Sequence, residues 1–388
     1  MGAGLYIHIP YCIRKCAYCD FVSYQDRGRM GAYLAALQEE MCLYEDACRD
    51  VMFDTVFVGG GTPSLLDAGE MQALLSALRE HFTIARDAEV TVEANPGTLN
   101  REKLTGFLCA GANRLSIGIQ SLDDGILRAI GRIHTAQEAR QAVSLASETG
   151  FSNINVDLMH GLPGQTVETY LATLEEASSM PGVTHVSAYS LILEEGTPLA
   201  RSVAQGAVSL PGEDETADMQ DAGIALLAEK GFDRYEISNF AKPGFTCRHN
   251  VNYWENGMYL GLGVAAHSAF RLGGRWLRWS NPEDPETYFA RIDREIRPSA
   301  EPQVIGPEEE QFETVMLGLR MTDGISLSGF RARHGRFLSE SYPESVRALM
   351  ECGWARETED RFMLTGKGLD FQNAALVCFL EESGLKMG

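Results

Sequence analysis

The sequence predicts a parallel α/β fold, a partial (β/α)6 barrel, followed by a small winged-helix-like α+β domain. Three observations carry that expectation. Six short apolar runs are each followed by a segment of helical periodicity, no dinucleotide fingerprint follows the first run, and after Pro302 the alternation gives way to helices and a hairpin. Strand and helix in alternation specify a parallel sheet with right-handed crossovers. Six such units without a glycine-rich first turn fit a partial barrel better than an open doubly wound sheet.

The runs are Leu5–Pro10, Thr55–Gly61, Glu89–Pro96, Arg114–Ser121, Asn153–Gly161 and His185–Ile192. Start signals stand between them. Asn100 precedes REKLTGFLCAG, and Thr135 with Glu138 three residues on forms a capping box. From about Leu193 to Pro298 the units become irregular and turn-rich, so residues 1–298 are read as the core with an irregular extension. Residues 299–388 form the second domain: EEEQFETVMLGLRM and ESVRALMECG are helices, and WARETEDRFMLTGKGLDFQNAAL is a hairpin followed by a helix. Winged helices often bind DNA, yet this one has nine Lys and Arg against fifteen Asp and Glu between 301 and 388. It reads as a packing or partner domain.

The whole chain of 388 residues carries a formal charge of −21. That field repels a phosphate backbone, so nucleic acid is not an expected partner. No stretch reaches the ~18 apolar residues of a membrane span. MGAGLYIHIPYC lacks the basic run of a signal peptide, and the expected location is cytoplasmic. The nine cysteines are an odd number, and three of them cluster. In a reducing compartment this favours a metal site over disulfides.

YIHIPYCIRKCAYCDF places Cys12, Cys16 and Cys19 in a CxxxCxxC array on the loop leaving the first strand. Three thiolates so close can wrap one [4Fe–4S] cubane and leave its fourth iron open to the amino and carboxylate groups of a small ligand. The alternative is zinc, with His8 or Asp20 as fourth ligand, although CxxxCxxC is not the usual zinc-knuckle spacing. Cys42, Cys48, Cys109, Cys352 and Cys378 lie in helical apolar patterns and are expected to be small core residues.

The second strand ends in Gly59-Gly60-Gly61-Thr62-Pro63, where backbone can approach a ligand closely or make a tight turn. In EVTVEANP the alternation sets Thr91, Glu93 and Asn95 on one face; Ser116, Gly118 and Gln120 share a face of the fourth strand, as do Asn155 and Asp157 of the fifth. Barrel interiors normally hold Val, Ile and Leu. Inward carboxylates must meet a ligand or pair with a cation such as Arg114 or Arg132. Past the sixth strand, Arg248-His249-Asn250-Val251-Asn252-Tyr253-Trp254 sets a histidine beside two aromatics. This offers a haem an axial nitrogen and flat apolar surface, or is simply a satisfied structural histidine.

CxxxCxxC with an aromatic two residues on resembles the radical-SAM superfamily. The words YIHIPYC, VFVGGGTPSLL, VEANPGT, RLSIGIQS, NVDLMHGLPGQT and HNVNYW resemble its coproporphyrinogen-oxidase-like branch, from Leu5 to about Phe270 and more weakly beyond. The resemblance implies a [4Fe–4S] cluster on Cys12, Cys16 and Cys19, and S-adenosylmethionine as cofactor. It assigns Glu93, Gln120, Arg132 and Asp157 to the amine, ribose and carboxylate of that cofactor, with Tyr6, Gly60, Gly61, Thr62 and Ser190 joining by position. It links HNVNYW to haem, with His249 as iron ligand and Cys247 and His267 as secondary candidates. His267 also stands where the related oxidases place a cofactor contact.

Two functions follow from the resemblance. One is a haem chaperone that carries haem as cargo to acceptor proteins. The other is an oxygen-independent coproporphyrinogen III oxidase that cleaves S-adenosylmethionine. The oxidases resemble CxxxCxxCxC and carry a longer N-terminal segment; here the further cysteine's place is Phe21. The chaperone is therefore expected, with haem and haem-acceptor proteins as partners. A homodimer and a peripheral membrane association through acceptors are further expectations.

Overall fold

The six expected strands form in order. They are β1 (Ala3–Ile9), β2 (Met52–Gly60), β3 (Thr83–Ala94), β4 (Arg114–Gln120), β5 (Ile154–His160) and β6 (Val183–Ser190), each parallel to the next. This computed structural model describes residues 2–385. Their middles are near-continuous apolar runs because helices cover the sheet. Leu5, Ile7, Leu115, Ile117, Val156 and Leu158 are all buried. Three covering helices start as local chemistry dictates. Asn100 Oδ1 accepts from Lys103 N at 2.8 Å, while Asp67 with Glu70 and Thr135 with Glu138 close capping boxes.

The stretch from Leu193 to Pro298, expected to be irregular, instead extends this sheet. At one edge β7 (Asp233–Arg234) and β8 (Asn239–Ala241) run antiparallel beyond β6. At the other, β9 (Tyr259–Leu262) lies parallel to β1, followed antiparallel by β10 (His267–Leu272), β11 (Arg275–Ser280) and β12 (Gln303–Ile305). The sheet thus has twelve strands, ordered β12-β11-β10-β9-β1-β2-β3-β4-β5-β6-β8-β7, and the parallel barrel strands form its centre. The added strands have two to six residues, too few to show a period of two in sequence. Their pairing is decided by distant partners.

Beyond β12 a separate apolar cluster forms around Val315, Phe330, Leu349, Phe362 and Phe379. It includes a three-stranded sheet of β13 (Ile325–Ser326), β14 (Ala355–Glu357) and β15 (Arg361–Leu364), ordered β13-β15-β14. Helices plus hairpin make the winged-helix-like unit the sequence predicts. Charge ties it to the core. Buried Glu310 accepts from Arg271 and from Arg333 Nε at 2.7 Å, and buried Glu313 pairs with Arg278 at 2.6 Å. Guanidinium–carboxylate bonds of this kind fix orientation as well as adding energy. Among the described residues no helix is long and apolar enough to cross a membrane.

Cysteine positions depart from expectation. Cys48 is buried, but Cys42, Cys109 and Cys352 are exposed and Cys378 is half-buried. Each of these helices has one face turned to water, and a small thiol sits there without penalty.

Leu115→Ala, in the middle of the sheet, should lower unfolding free energy by ~2–5 kcal/mol, and Thr135→Ala by about 1 kcal/mol. Urea denaturation of both variants beside the wild type checks the ranking; equal midpoints would contradict it.

Candidate functional site

The loop leaving β1 carries the three cysteines and is pinned from four sides. Cys12 N–H donates to Tyr24 O at 2.9 Å, Ala17 N–H to Ile130 O at 3.0 Å, and Leu199 N–H to Ala17 O at 2.8 Å. His8 Nε2 bonds Val22 O at 3.0 Å, while its Nδ1 bonds the Tyr6 hydroxyl at 2.9 Å. The thiols are half-buried. Thr62 Oγ1 donates to Cys12 Sγ and Arg132 Nη1 to Cys16 Sγ, both at 3.5 Å. Among the described residues no three His, Cys, Asp or Glu side chains converge on a single-ion site. Thiolates around a cubane bind different irons and do not need to converge so closely.

The end of β2 approaches this loop as closely as backbone allows. A Cβ on Gly61 would lie 2.7 Å from Tyr11 O and 2.9 Å from Tyr11 N. Gly60 has φ +109°, a left-handed region that favours glycine, and a Cβ there would strike the His8 ring at 2.7 Å. Both glycines are fixed by these contacts.

Polar groups turn inward across β3, β4 and β5. Gly60 N–H donates to Glu93 Oε2 at 3.0 Å. Asn155 Nδ2 donates to Asp157 Oδ1 at 2.8 Å and to Ser116 Oγ at 2.7 Å. Burial raises the Glu93 carboxyl to about 8, with the neighbouring Asp157 adding to the rise and Gly60 N–H opposing it. Burial raises Asp157 too, against the hydrogen bonds of Asn155 and the charge of Arg114. Arg114 is buried between these strands and its Nε has no partner, as is true of Arg132 Nε. Gln120 ends β4 at φ +68°. Arg132 Nη2 donates to Gly118 O beside it. A non-glycine residue held in the left-handed region marks stored backbone strain.

These side chains border two neighbouring cavities. The inner one, about 230 Å³, is lined by Tyr6, Gly60, Glu93, Arg114, Asp157 and His249, among others. The outer one, about 940 Å³, is lined by Tyr6, Cys19, Ser190, Trp254, His267 and Met316, among others. Tyr6, Phe21, Tyr189 and Tyr253 line both. Of the expected cofactor residues, Tyr6, Gly60, Glu93 and Asp157 therefore meet at the inner cavity and Ser190 lines the outer one. Thr62 and Arg132 touch the cysteine sulfurs. Gly61 packs on the loop, and Gln120 stands beside Arg132. Arg114, Asn155, Tyr189 and Tyr253 complete the site; only the inward-polar strand pattern gave a signal for the first two.

His249 lies inside the fold and does not face open solvent. It is 1% exposed, stacked on Phe57 at 5.1 Å between centroids, with Nδ1 bonded to Thr55 Oγ1 at 2.7 Å and Nε2 to Tyr253 Oη at 2.9 Å. Burial, aided by Arg114, lowers its pKa to about 3. Both ring nitrogens are hydrogen-bonded within the fold, and the ring holds Tyr253. Its short helix, Arg248–Trp254, is anchored by buried Glu89, which accepts from Arg248 N and His249 N, each at 3.1 Å. Cys247 is fully buried, with its Sγ against Glu89 Oε1 at 3.5 Å.

Comparison with known proteins agrees with this architecture. Residues 6–177 match the radical SAM superfamily and residues 305–371 the HemN C-terminal domain. The fold resembles that of coproporphyrinogen III oxidase (HemN) from Escherichia coli, with a TM-score of 0.83 at 22% identity over 97% of this chain and 90% of that one. The chain is thus a radical-SAM protein, a class built around a [4Fe–4S] cluster and S-adenosylmethionine. The donor set fits both, with three thiols on a pinned loop, a close glycine approach, two carboxyls at one cavity and a buried guanidinium nitrogen without a partner. It is 36% identical to "Heme chaperone HemW" of Escherichia coli K12 over 98% of both chains. It is also 36% identical to that of Bacillus subtilis over 97% of this chain and 99% of the other. The chain belongs to the HemW family.

Glu93 gives the site a pH signature. With its folded pKa near 8 against an ordinary 4.5, the native state keeps a proton that the unfolded chain releases. The contribution of Glu93 to stability should therefore fall as pH rises from about 4.5 to about 8 and level off above that. Glu93→Gln should remove that contribution, stabilising cofactor-free protein relative to wild type by a few kcal/mol at pH 8 and little at pH 4.5. Urea melts at both pH values measure this; an equal gap at both would show that Glu93 titrates normally.

Proposed function

We propose that this protein is a haem chaperone, which binds haem and passes it to acceptor haemoproteins. The observation that carries the reading is the outer cavity. It is large, mostly aromatic and aliphatic, and opens beside the cysteine loop in a chain whose near full-length relatives are named heme chaperones. At about 940 Å³ it lies at the upper end of the ~300–1,000 Å³ typical of small-molecule sites. The likeness to the oxidase is one of fold, and Phe21 stands where the resemblance expects the oxidases' further cysteine.

In this reading Cys12, Cys16 and Cys19 hold the cluster. When bound, cluster and S-adenosylmethionine supply one-electron chemistry. The chain's own residues bind and orient. Glu93 and the Gly60–Thr62 backbone face the methionyl amine, Arg132 and Gln120 suit carboxylate and ribose, and Asp157, Tyr6 and Ser190 complete the pocket. A guanidinium matches a carboxylate in a bidentate fork. The inward carboxyls match a cationic cofactor, whose charge would offset their desolvation. A cytoplasmic location, a homodimer and peripheral membrane contact through acceptors belong to the same proposal.

Anaerobically reconstituted protein should hold about four irons, and Cys16→Ala should lose the cluster chromophore. Loaded with haem, it should transfer haem to apomyoglobin. With coproporphyrinogen III, reductant and S-adenosylmethionine it should form no protoporphyrinogen. Zinc retained in place of iron would contradict the cluster assignment, and steady formation of protoporphyrinogen would restore the oxidase.

A further inference from the structure

The chain has eight histidines. Five are buried: His8, His134, His160, His185 and His249. Two more are half-buried and engaged. His81 Nδ1 pairs with Glu45 at 2.9 Å, and His334 Nε2 bonds Thr314 Oγ1 at 3.1 Å. His267 differs from all of these. It opens β10, is exposed, lines the outer cavity, and makes no side-chain hydrogen bond among the described residues.

We propose that haem occupies the outer cavity with His267 as its axial iron ligand. This rests on the haem-chaperone reading above and locates the cargo within it. An imidazole with a free nitrogen, facing a cavity of this size, is what a haem iron requires of a protein.

The walls suit a flat apolar macrocycle. Trp254 is held from one side by the Arg320 guanidinium, 4.4 Å from its ring centroid, and lines the cavity. Tyr259 packs edge-on against Tyr253 at 4.7 Å. Met316 and Leu317 close the cavity from the C-terminal domain. Arg278 is the one Lys or Arg of the lining. Its side chain is 34% exposed and paired with Glu313, so the propionates have a single cation to meet and otherwise face the open mouth. Such a seat holds the ring through packing and one iron bond, and leaves an edge accessible to an acceptor.

The test is an anaerobic titration of hemin into cluster-loaded wild type, His267→Gly and His267→Gln, followed in the Soret band, with cluster absorbance and thermal midpoint recorded in parallel. Wild type should bind one haem. Both variants should bind about tenfold or more weakly with a shifted Soret maximum, and added imidazole should restore the wild-type spectrum in His267→Gly alone. Unchanged haem affinity and spectrum in both variants would overturn the assignment and leave the chaperone reading standing. Failure of the wild type itself to take up hemin would overturn the chaperone reading on which the assignment rests.

Discussion

Two half-buried carboxyl groups turned inward from one parallel sheet are the constraint on which the rest of the structure depends. Burial raises the proton affinity of Glu93 on β3 and Asp157 on β5, Asp157 adds to the rise at Glu93, and one buried arginine, Arg114, stands near enough to oppose this at both. A sheet interior would be more stable with Val or Leu at these places. The polar residues around them follow from that. Ser116, Asn155 and the Gly60 N–H all bond to the acids or to their partners. The close turn of Gly60 and Gly61 then packs against the pinned cysteine loop, whose Cys19 lines the adjoining outer cavity. On the proposed reading, the missing cation is the cofactor.

The second dependence runs through four aromatic rings. Tyr6, Phe21, Tyr189 and Tyr253 border both cavities, so a ligand in one space touches groups that shape the other. Tyr253 is held by His249, and His249 by Thr55 of β2. The HNVNYW segment therefore acts as a brace between sheet and wall. The C-terminal domain also reaches this place, since Glu313, Met316 and Leu317 line the outer cavity and Glu313 is paired with Arg278 of β11.

Much of this was legible in the sequence, for physical reasons. Parallel strands buried on both faces leave unbroken apolar runs, so β1 to β6 stood out, and the caps at Asn100 and Thr135 are local hydrogen-bond chemistry. Polar residues at every second place of β3 and β5 announced the pocket because burial makes such residues expensive. The strands of two to six residues at both sheet edges were not legible, because pairing with distant segments creates them. Nor was the fate of His249. Its neighbours in sequence are aromatic, but its decisive partners are Thr55 and Phe57, almost two hundred residues away. The exposed thiols of Cys42 and Cys109 were misjudged because a small residue fits an apolar helical pattern on either face.

The central claim is that cofactor and cargo occupy adjoining spaces with a shared wall. Equilibrium dialysis of labelled S-adenosylmethionine against cluster-loaded protein, with and without saturating haem, tests it most directly. The account predicts that about one S-adenosylmethionine per chain stays bound when haem is present, with an affinity shifted by a modest factor that haem binding shows in return. Stoichiometric displacement of S-adenosylmethionine by haem would mean that both compete for a single space, and would contradict it.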